Sequence, residues 1–253
     1  MTQRIDITLR RSDSLTAREL DEIWALTDRY VETDRAIYEH KLRALPEVGL
    51  WRTRAGELAG LVSLDVYRVD WKGRRRVVFF TSSVVIDERF RGRNLVLQTG
   101  VRAYLREKMR HPLEPAYWLF DTFSYKSYLL LPRNLAEYWP RRDAETPPAI
   151  ARFMDRLARE RYGEAWSPAT GVVRHGKKRL RPTTAPIDSA LSNDPDVQFF
   201  DRVNPGHRDG DMLVCLVPLS IASFLRPWGR SVVKRLVSRR RKPAALRRSR
   251  SPR

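Results

Sequence analysis

The stretch VVFFTSSVVIDERFRGRNLVLQTGVRAYLREKM, residues 77–109, decides the fold of this chain. It opens with an apolar run typical of a buried strand, passes through a basic turn, and ends with apolar residues at helical spacing. Where a strand turns tightly into a helix, free backbone N–H groups and the positive end of the helix together attract anions. Arg91 and Arg93, on either side of Gly92, add charge-assisted donors. The stretch therefore predicts a phosphate or pyrophosphate site where the strand meets the helix.

The same stretch resembles the acyl-CoA signature of the GNAT superfamily of N-acyltransferases, in which a strand ending Val-x-Pro leads into Arg-Gly-x-Gly-x-Gly/Ala. Val85 and Asp87 stand where the Val and Pro would be, and the turn follows after one extra residue. The later glycines are replaced by Asn94, which tolerates a left-handed backbone or caps the helix, and by Val96, whose branched side chain would crowd a phosphate. These departures leave CoA and another acyl carrier as alternatives. The alternative to any carrier site is a basic surface turn in an ordinary strand–helix unit.

The resemblance implies a fold, an activity and a carrier site. The implied reaction moves an acyl group from a thioester carrier to an amine by direct attack, with acetyl-CoA or a longer acyl-CoA as co-substrate, or acyl carrier protein in its place, and without a metal. Backbone N–H groups near Val84 and Val85 would polarise the thioester carbonyl. The carrier phosphate would lie on the turn formed by Arg91, Gly92, Arg93 and Asn94.

The resemblance also implies a tyrosine that protonates the leaving thiolate, on the helix after the next strand. Tyr128 is the first candidate for this acid and Tyr125 the second, because they are three residues apart and share a helix face. The alternative for either residue is a core aromatic with a satisfied hydroxyl group.

The base that activates the amine is sought among carboxylates near the predicted splay between the central strand and its neighbour. Asp121 lies at a strand end and is the principal candidate. Asp87 and Glu88 flank the turn, and Asp65 lies within a strand, where it would face the cleft. A solvated or salt-bridged side chain is the alternative for each of them, and a water chain is the alternative to a carboxylate base.

Periodicity and turn residues predict the order strand, two helices, three antiparallel strands, helix, strand, helix. This is the GNAT order, so the expected fold class is α/β (α+β), with a central mixed, mostly antiparallel sheet flanked by helices. The predicted strands are 5–9, 50–54, 58–70, 75–86 and 116–121. The predicted helices are one from a capping box of Thr16 and Glu19 as far as Val31, one at 34–45, one that ends near Arg110, and a short one at 124–131 ended by Pro132.

The second half of the chain departs from a compact GNAT arrangement. Thr146 is predicted to cap a helix with Ile150, Phe153, Met154, Leu157 and Ala158 on one face, within a helical insertion at about 136–166. The last two strands are expected at 171–175 and 211–217, separated by a polar loop. The acyltransferase domain would thus comprise residues 1–225.

Charge is concentrated at the end of the chain. The 253 residues carry a net charge of +19, and residues 226–253 contain twelve Lys and Arg and no acidic residue. Apolar residues at helical spacing in residues 228–237 predict a basic amphipathic helix followed by a disordered tail. Residues 226–242 would bind an anionic membrane surface, an acidic protein or nucleic acid, or else would pack on the body.

Other motifs exclude several classes of protein. The single cysteine, Cys215, excludes a disulfide framework and lies in an apolar run that predicts burial. His207 and Asp211 have the H-x-x-x-D spacing of acyltransferases with a larger, two-domain fold, but Asn204-Pro205-Gly206 places His207 in a turn. No zinc spacing, Walker loop or Gly-x-Ser-x-Gly elbow occurs.

Two functional hypotheses follow. The first is a cytoplasmic N-acyltransferase, peripheral on the inner face of a membrane if the tail binds lipid. The second is a non-catalytic GNAT-fold protein whose basic tail binds nucleic acid or an anionic membrane.

Overall fold

The computed structural model describes residues 4–174, 176, 178–182, 184 and 189–220. Within these residues the strands are β1 Ile5–Arg11, β2 Val31–Thr33, β3 Glu47–Thr53, β4 Leu58–Trp71, β5 Arg74–Ile86, β6 Ala116–Thr122, β7 Trp166–Ser167, β8 Val172–Val173, β9 Lys178–Leu180 and β10 Met212–Leu219. The α-helices are α1 Ala17–Asp28, α2 Arg35–Ala44, α3 Leu95–Arg110, α4 Tyr125–Tyr128, α5 Leu130–Asn134, α6 Pro148–Tyr162, α7 Ser189–Ser192 and α8 Pro195–Val203.

Eight strands form one sheet in the order β1-β3-β4-β5-β6-β10-β8-β7, and β2 pairs with β9 in a separate two-stranded sheet. The β5–β6 pair is parallel, whereas the other described pairs are antiparallel. The parallel pair is joined through α3, because a parallel connection needs a crossover. The architecture confirms the expected GNAT-like fold, a mixed, mostly antiparallel sheet flanked by helices.

Each face of the large sheet has its own helices. On one face, which we call the α6 face, Leu61 and Val85 pack against α1 and α2, and Phe80 and Leu119 pack against α6. On the opposite face, the α3 face, Phe79 packs against α3. Next to it on the α3 face, the ring of Phe120 packs against α4, α5 and α8. The strands alternate between these two buried faces, as the pleat requires.

Several local predictions are confirmed. Thr16 and Glu19 form the capping box that begins α1, and the side chain of Asp34 accepts a hydrogen bond at the start of α2. The β3–β4 hairpin is closed by a hydrogen bond from the backbone N–H of Thr53 to the carbonyl oxygen of Glu57, 2.9 Å long. Cys215 is buried, as its apolar surroundings predict.

Other local predictions are wrong. Helix α1 ends at Asp28, and Val31 begins β2 instead of continuing the helix. The predicted helix at 124–131 is two short helices, with Pro132 in the first turn of α5, where its missing N–H group is not needed. Pro147, not Thr146, occupies the position before α6.

The segment before the last strand also differs from expectation. The loop predicted between the last two strands contains α8, which Asp194 caps and whose Phe199 and Phe200 are buried. The strand expected at 171–175 is two residues long in β8, and His175 lies outside the described residues. The predicted amphipathic helix and tail, residues 226–253, also lie outside them. In the part that is described, no helix has the length and apolar character needed to cross a membrane.

Candidate functional site

A gap opens between β5 and β6. Their parallel pairing runs from Val77 with Ala116 to Thr81 with Phe120, and it stops there. Strand β5 nevertheless continues to Ile86, still paired with β4 on its other side. Residues 82–86 therefore have no strand partner on the β6 side, which leaves backbone groups available to a ligand. The splay predicted next to the central strand is present.

A β-bulge lies on β5 at this gap. Ser63 pairs with Ser82 and Leu61 with Val85, so Ser83 and Val84 together face Val62 alone. Ser83 adopts a positive φ of 50°. Bulges of this kind redirect strand backbone and are common beside active sites. The bulge leaves the Val84 side chain 39 % exposed, whereas the neighbouring Val85 is buried. Both residues predicted to polarise a carbonyl thus lie along the gap.

The turn after β5 presents the N-terminus of α3. Gly92 and Asn94 adopt left-handed conformations, with φ values of 77° and 56°. The first helical bond runs from Gln98 N–H to the carbonyl oxygen of Asn94, 2.9 Å long, so the amides of residues 95–97 precede the bonded part of the helix. Asn94 supplies the left-handed backbone and not a side-chain cap. Val96 packs towards the apolar cluster around Phe90, a position that does not favour the predicted crowding of a phosphate.

Two arginines near the turn are paired with Asp87, and one of them, Arg89, is also paired with Glu57. The Asp87 side chain is 1 % exposed, and its Oδ2 lies 2.6 Å from Arg29 Nη2 and 2.8 Å from Arg89 Nη2. Hydrogen bonds from Arg89 and then Arg29 hold the pKa of the Asp87 carboxyl well below its usual range. The contacts of Asp87 hold the turn in place and are typical of a structural residue. Glu88 is exposed beside it.

Arg91 differs from these two arginines. Its Nε donates to the carbonyl oxygen of Ile86 at 3.2 Å, and its guanidinium lies 4.8 Å from the centre of the Tyr30 ring. In the described part of the chain no carboxylate lies within ion-pair distance of Arg91. The Arg93 guanidinium lies 5.2 Å from the centre of the Phe90 ring. The charge of Arg91 is therefore open to a bound anion.

The two tyrosines predicted as acids lie in the core on the α3 face. Tyr128 is fully buried between Tyr138 and the two phenylalanines of α8, and its hydroxyl donates to the carbonyl oxygen of Pro140 at 3.2 Å. Burial raises the pKa of Tyr128. Tyr125 is buried in the same cluster. These positions are typical of core aromatics, so the acid role of Tyr128 and Tyr125 stays a prediction that their burial does not favour.

On the α6 face, two carboxylates meet the end of α6. The Tyr162 hydroxyl lies 2.9 Å from Oδ2 of Asp121, and Arg161 Nη2 lies 2.7 Å from Oδ2 of Asp65. Burial, together with the Asp121 carboxylate, raises the pKa of Tyr162. The Arg161 guanidinium also lies 3.7 Å from the centre of the Phe80 ring.

The sequence pattern did not identify Tyr162 and Arg161 as site residues, although a signal was present. They follow Ala158 and Leu157 by four residues, so they continue the apolar face that predicts the helix. In the described part of the chain, no group of three or more His, Cys, Asp or Glu side chains is placed to hold a metal ion.

Comparison with known proteins yields partial structural matches. No protein-family model and no curated protein sequence matches the chain. Among solved structures, a conserved protein of unknown function from Enterococcus faecalis is 14 % identical with a TM-score of 0.36, and the match covers 49 % of this chain and 31 % of that one. A GNAT family N-acetyltransferase from Escherichia coli, solved in complex with CoA, is 18 % identical with a TM-score of 0.34 over 47 % of this chain and 63 % of that one.

An acyl-CoA N-acyltransferase from Pseudomonas aeruginosa is 21 % identical with a TM-score of 0.31, and its match covers 46 % of this chain and 79 % of that one. The matches thus span about a third of the Enterococcus faecalis protein and less than two thirds of the Escherichia coli enzyme. At this level of similarity, the function rests on the residues of the site.

Proposed function

We propose that this protein transfers an acyl group from a phosphate-bearing thioester carrier to an amine in the gap between β5 and β6. The observation that carries the proposal is the coincidence of three features at one end of β5. The strand loses its β6 partner after Thr81, and a bulge follows at residues 83 and 84. The start of α3 stands beside Arg91, which pairs with no carboxylate among the residues that the structure describes.

The carrier phosphate would bind at the turn. Three unpaired amides at a helix start and one guanidinium are the donors that a pyrophosphate requires. Arg29 and Arg89 are already bonded to Asp87, and Arg89 is also bonded to Glu57. Arg91 would therefore be the principal charged group for the phosphate, with Arg93 beside it. The acyl-bearing arm would follow the open edge of residues 82–86.

The chemistry needs little beyond position and polarisation. Backbone N–H groups of the bulged segment would stabilise the charge that develops on the carbonyl oxygen. Holding the thioester and the amine together supplies much of the remaining rate enhancement. A direct transfer of this kind uses no covalent intermediate on the protein.

Acyl-CoA and acyl carrier protein present the same phosphopantetheine arm, so the turn by itself fits either donor. CoA adds a pyrophosphate, which engages more of the free amides than a single phosphodiester would. We therefore take acyl-CoA as the donor. The titration described next compares a short and a long acyl chain and shows which one binds better.

The test is a calorimetric titration of the full-length chain with acetyl-CoA and with a long-chain acyl-CoA. Arg91→Ala should weaken binding about 10-fold or more, since a charged hydrogen bond is worth about 1.5–3 kcal/mol. Arg18→Ala, on the exposed surface of α1, is the matched control for loss of one charge and should leave the affinity unchanged. Raised ionic strength suppresses nonspecific binding by other basic segments.

Two results would contradict the proposal. One is equal affinity of the Arg91→Ala variant and the wild type for the better donor. The other is a folded protein that binds neither acyl-CoA, which would favour the carrier-protein donor or the non-catalytic alternative.

A further inference from the structure

A row of polar side chains crosses the gap on the α6 face. Ser63 and Ser82 are direct partners across the β4–β5 pair, so their side chains point to the same side. Continuing the parallel register by one residue beyond Thr81 and Phe120 brings Ser82 level with Asp121. Neighbouring strands lie about 4.8 Å apart where they are paired. The three residues therefore form a row, which we call the gap row, with the opening between Ser82 and Asp121.

One member of the gap row is an unsatisfied polar group. The hydroxyl of Ser63 is completely buried and has no hydrogen-bond partner in the described part of the protein. A buried hydroxyl without a partner is unfavourable, because its hydrogen bonds to water are lost on burial and not replaced. Ser63 lies one strand from the opening, with Ser82 between them, so a polar ligand that displaces or bridges Ser82 would reach it.

Asp121, which belongs to the gap row, and Asp65, which lies near it, differ in their ion pairing. Asp65 is paired with Arg161 and therefore has its charge compensated. Asp121 receives a neutral hydrogen bond from Tyr162 at Oδ2, and among the described residues no Lys, Arg or His lies within ion-pair distance of it. A partly buried carboxylate without a cation favours a cationic ligand. The Tyr162 bond also leaves Oδ1 of Asp121 open.

We propose that Asp121 is the base that takes a proton from the ammonium form of a primary alkyl amine, and that Tyr162 is the residue that positions it. The acceptor would enter over the α6 face, opposite the α3 face on which the carrier helix packs. This inference rests on the proposed function, because it places the nucleophile across the gap from the thioester arm.

The protons and electrons of this step balance. Asp121 takes one proton from the ammonium group, and the nitrogen lone pair forms the C–N bond to the thioester carbonyl carbon. The C–S bond breaks and its electron pair goes to sulfur, which takes a second proton from the nitrogen. The first proton leaves Asp121 for water, so each turnover releases one proton and regenerates the carboxylate.

The test uses full-length protein, the acyl-CoA that binds best, and n-butylamine as the probe acceptor, with release of free thiol as the signal. Asp121→Asn should retain donor affinity and lose about 10²- to 10⁴-fold in turnover, the range for a general base. The loss should shrink as the pH rises towards the amine pKa of about 10, because the probe is then already deprotonated. A purely structural defect would not show this recovery.

Control variants separate the possible failures. Asp70→Asn removes an exposed carboxylate at the far end of β4 and should leave both donor affinity and turnover unchanged. Asp65→Asn tests the neighbouring carboxylate. If turnover falls in a pH-dependent way in Asp65→Asn and does not fall in Asp121→Asn, the assignment of Asp121 as the base is overturned. Full turnover with an unchanged pH profile in folded Asp121→Asn would overturn the assignment as well. That result would not contradict the proposed carrier site. Wild type that binds no donor would instead refute the proposed function.

Discussion

The hydroxyl group of Tyr162, the last residue of α6, lies 2.9 Å from Oδ2 of Asp121 near the end of β6. This bond makes α6, a helix in the segment expected to be an insertion, part of the wall of the gap. Because burial and the carboxylate raise the pKa of Tyr162, its phenol keeps the proton and acts as the donor in this bond. The helix therefore holds Asp121 in one orientation.

Tyr162→Phe tests that positioning role. The variant removes the hydroxyl and keeps the ring, so we expect donor affinity to be unchanged and turnover to fall about 10-fold, corresponding to roughly 1.4 kcal/mol of transition-state stabilisation. Without the hydrogen bond the Asp121 carboxylate is no longer held in one orientation, so kcat should fall while the KM for the amine stays close to the wild-type value. Wild-type kcat in a folded variant would show that Tyr162 serves packing alone.

Tyr128→Phe tests the acid role of a buried tyrosine. The hydroxyl of Tyr128 bonds to the carbonyl oxygen of Pro140 within the core, so we expect a loss of about 0.5–1.5 kcal/mol in the free energy of unfolding. Turnover should stay at the wild-type level. Urea denaturation and thiol-release kinetics measure the two effects separately. Loss of turnover at unchanged stability would restore Tyr128 as the acid.

Asp87→Asn tests the brace beneath the turn. Removing a carboxylate bonded to two half-exposed arginines should lower the free energy of unfolding at neutral pH by about 1–3 kcal/mol. The folded-state pKa of Asp87 is lower than the unfolded value of about 3.9, so its contribution is complete above that value and disappears as the pH falls through the folded-state pKa.

Wild-type stability should therefore decline more steeply below about pH 4 than that of the Asp87→Asn variant. Denaturation curves across this acid range measure the difference. Asp70→Asn, which removes an exposed carboxylate paired with Arg75, is the control and should follow the wild-type curve closely. Parallel curves for Asp87→Asn and wild type would contradict the assignment.

Gly92→Ala tests the turn backbone. A left-handed alanine costs about 1–2 kcal/mol, and since the added Cβ meets nothing within 4 Å, this backbone cost is the only one expected. Relief of the strain would shift the α3 amides, so acyl-CoA affinity should fall as well. Gly73→Ala is a matched control, because Gly73 has a similar φ of 71° and open space but lies at the opposite end of β5. It should lose stability without losing affinity.

Sequence reasoning succeeded where structure is determined locally. The strand, the turn and the helix of residues 77–109 follow from apolar runs, Gly92 and helical spacing, and all three are present. The capping box at Thr16 and the stop before Pro46 are likewise encoded by a few neighbouring residues. The order of the strands follows from these elements, because the long strands pair with their neighbours along the chain.

What sequence reasoning missed depends on tertiary packing. The periodicity of α6 predicts a helix, but not that its last turn reaches Asp65 and Asp121 on strands more than 40 residues earlier. Tyr128 looks like a catalytic residue by its position, yet α8 brings two phenylalanines against its ring. Only the assembled sheet shows which face each tyrosine occupies.

The most direct test of the carrier site is amide hydrogen exchange of the full-length protein with and without saturating acetyl-CoA. We predict slower exchange at the amides of residues 95–97 and along residues 82–86, with no such protection in Arg91→Ala at the same acetyl-CoA concentration. Protection confined to other segments, or none at these amides while acetyl-CoA is bound, would contradict the placement of the carrier in the gap between β5 and β6.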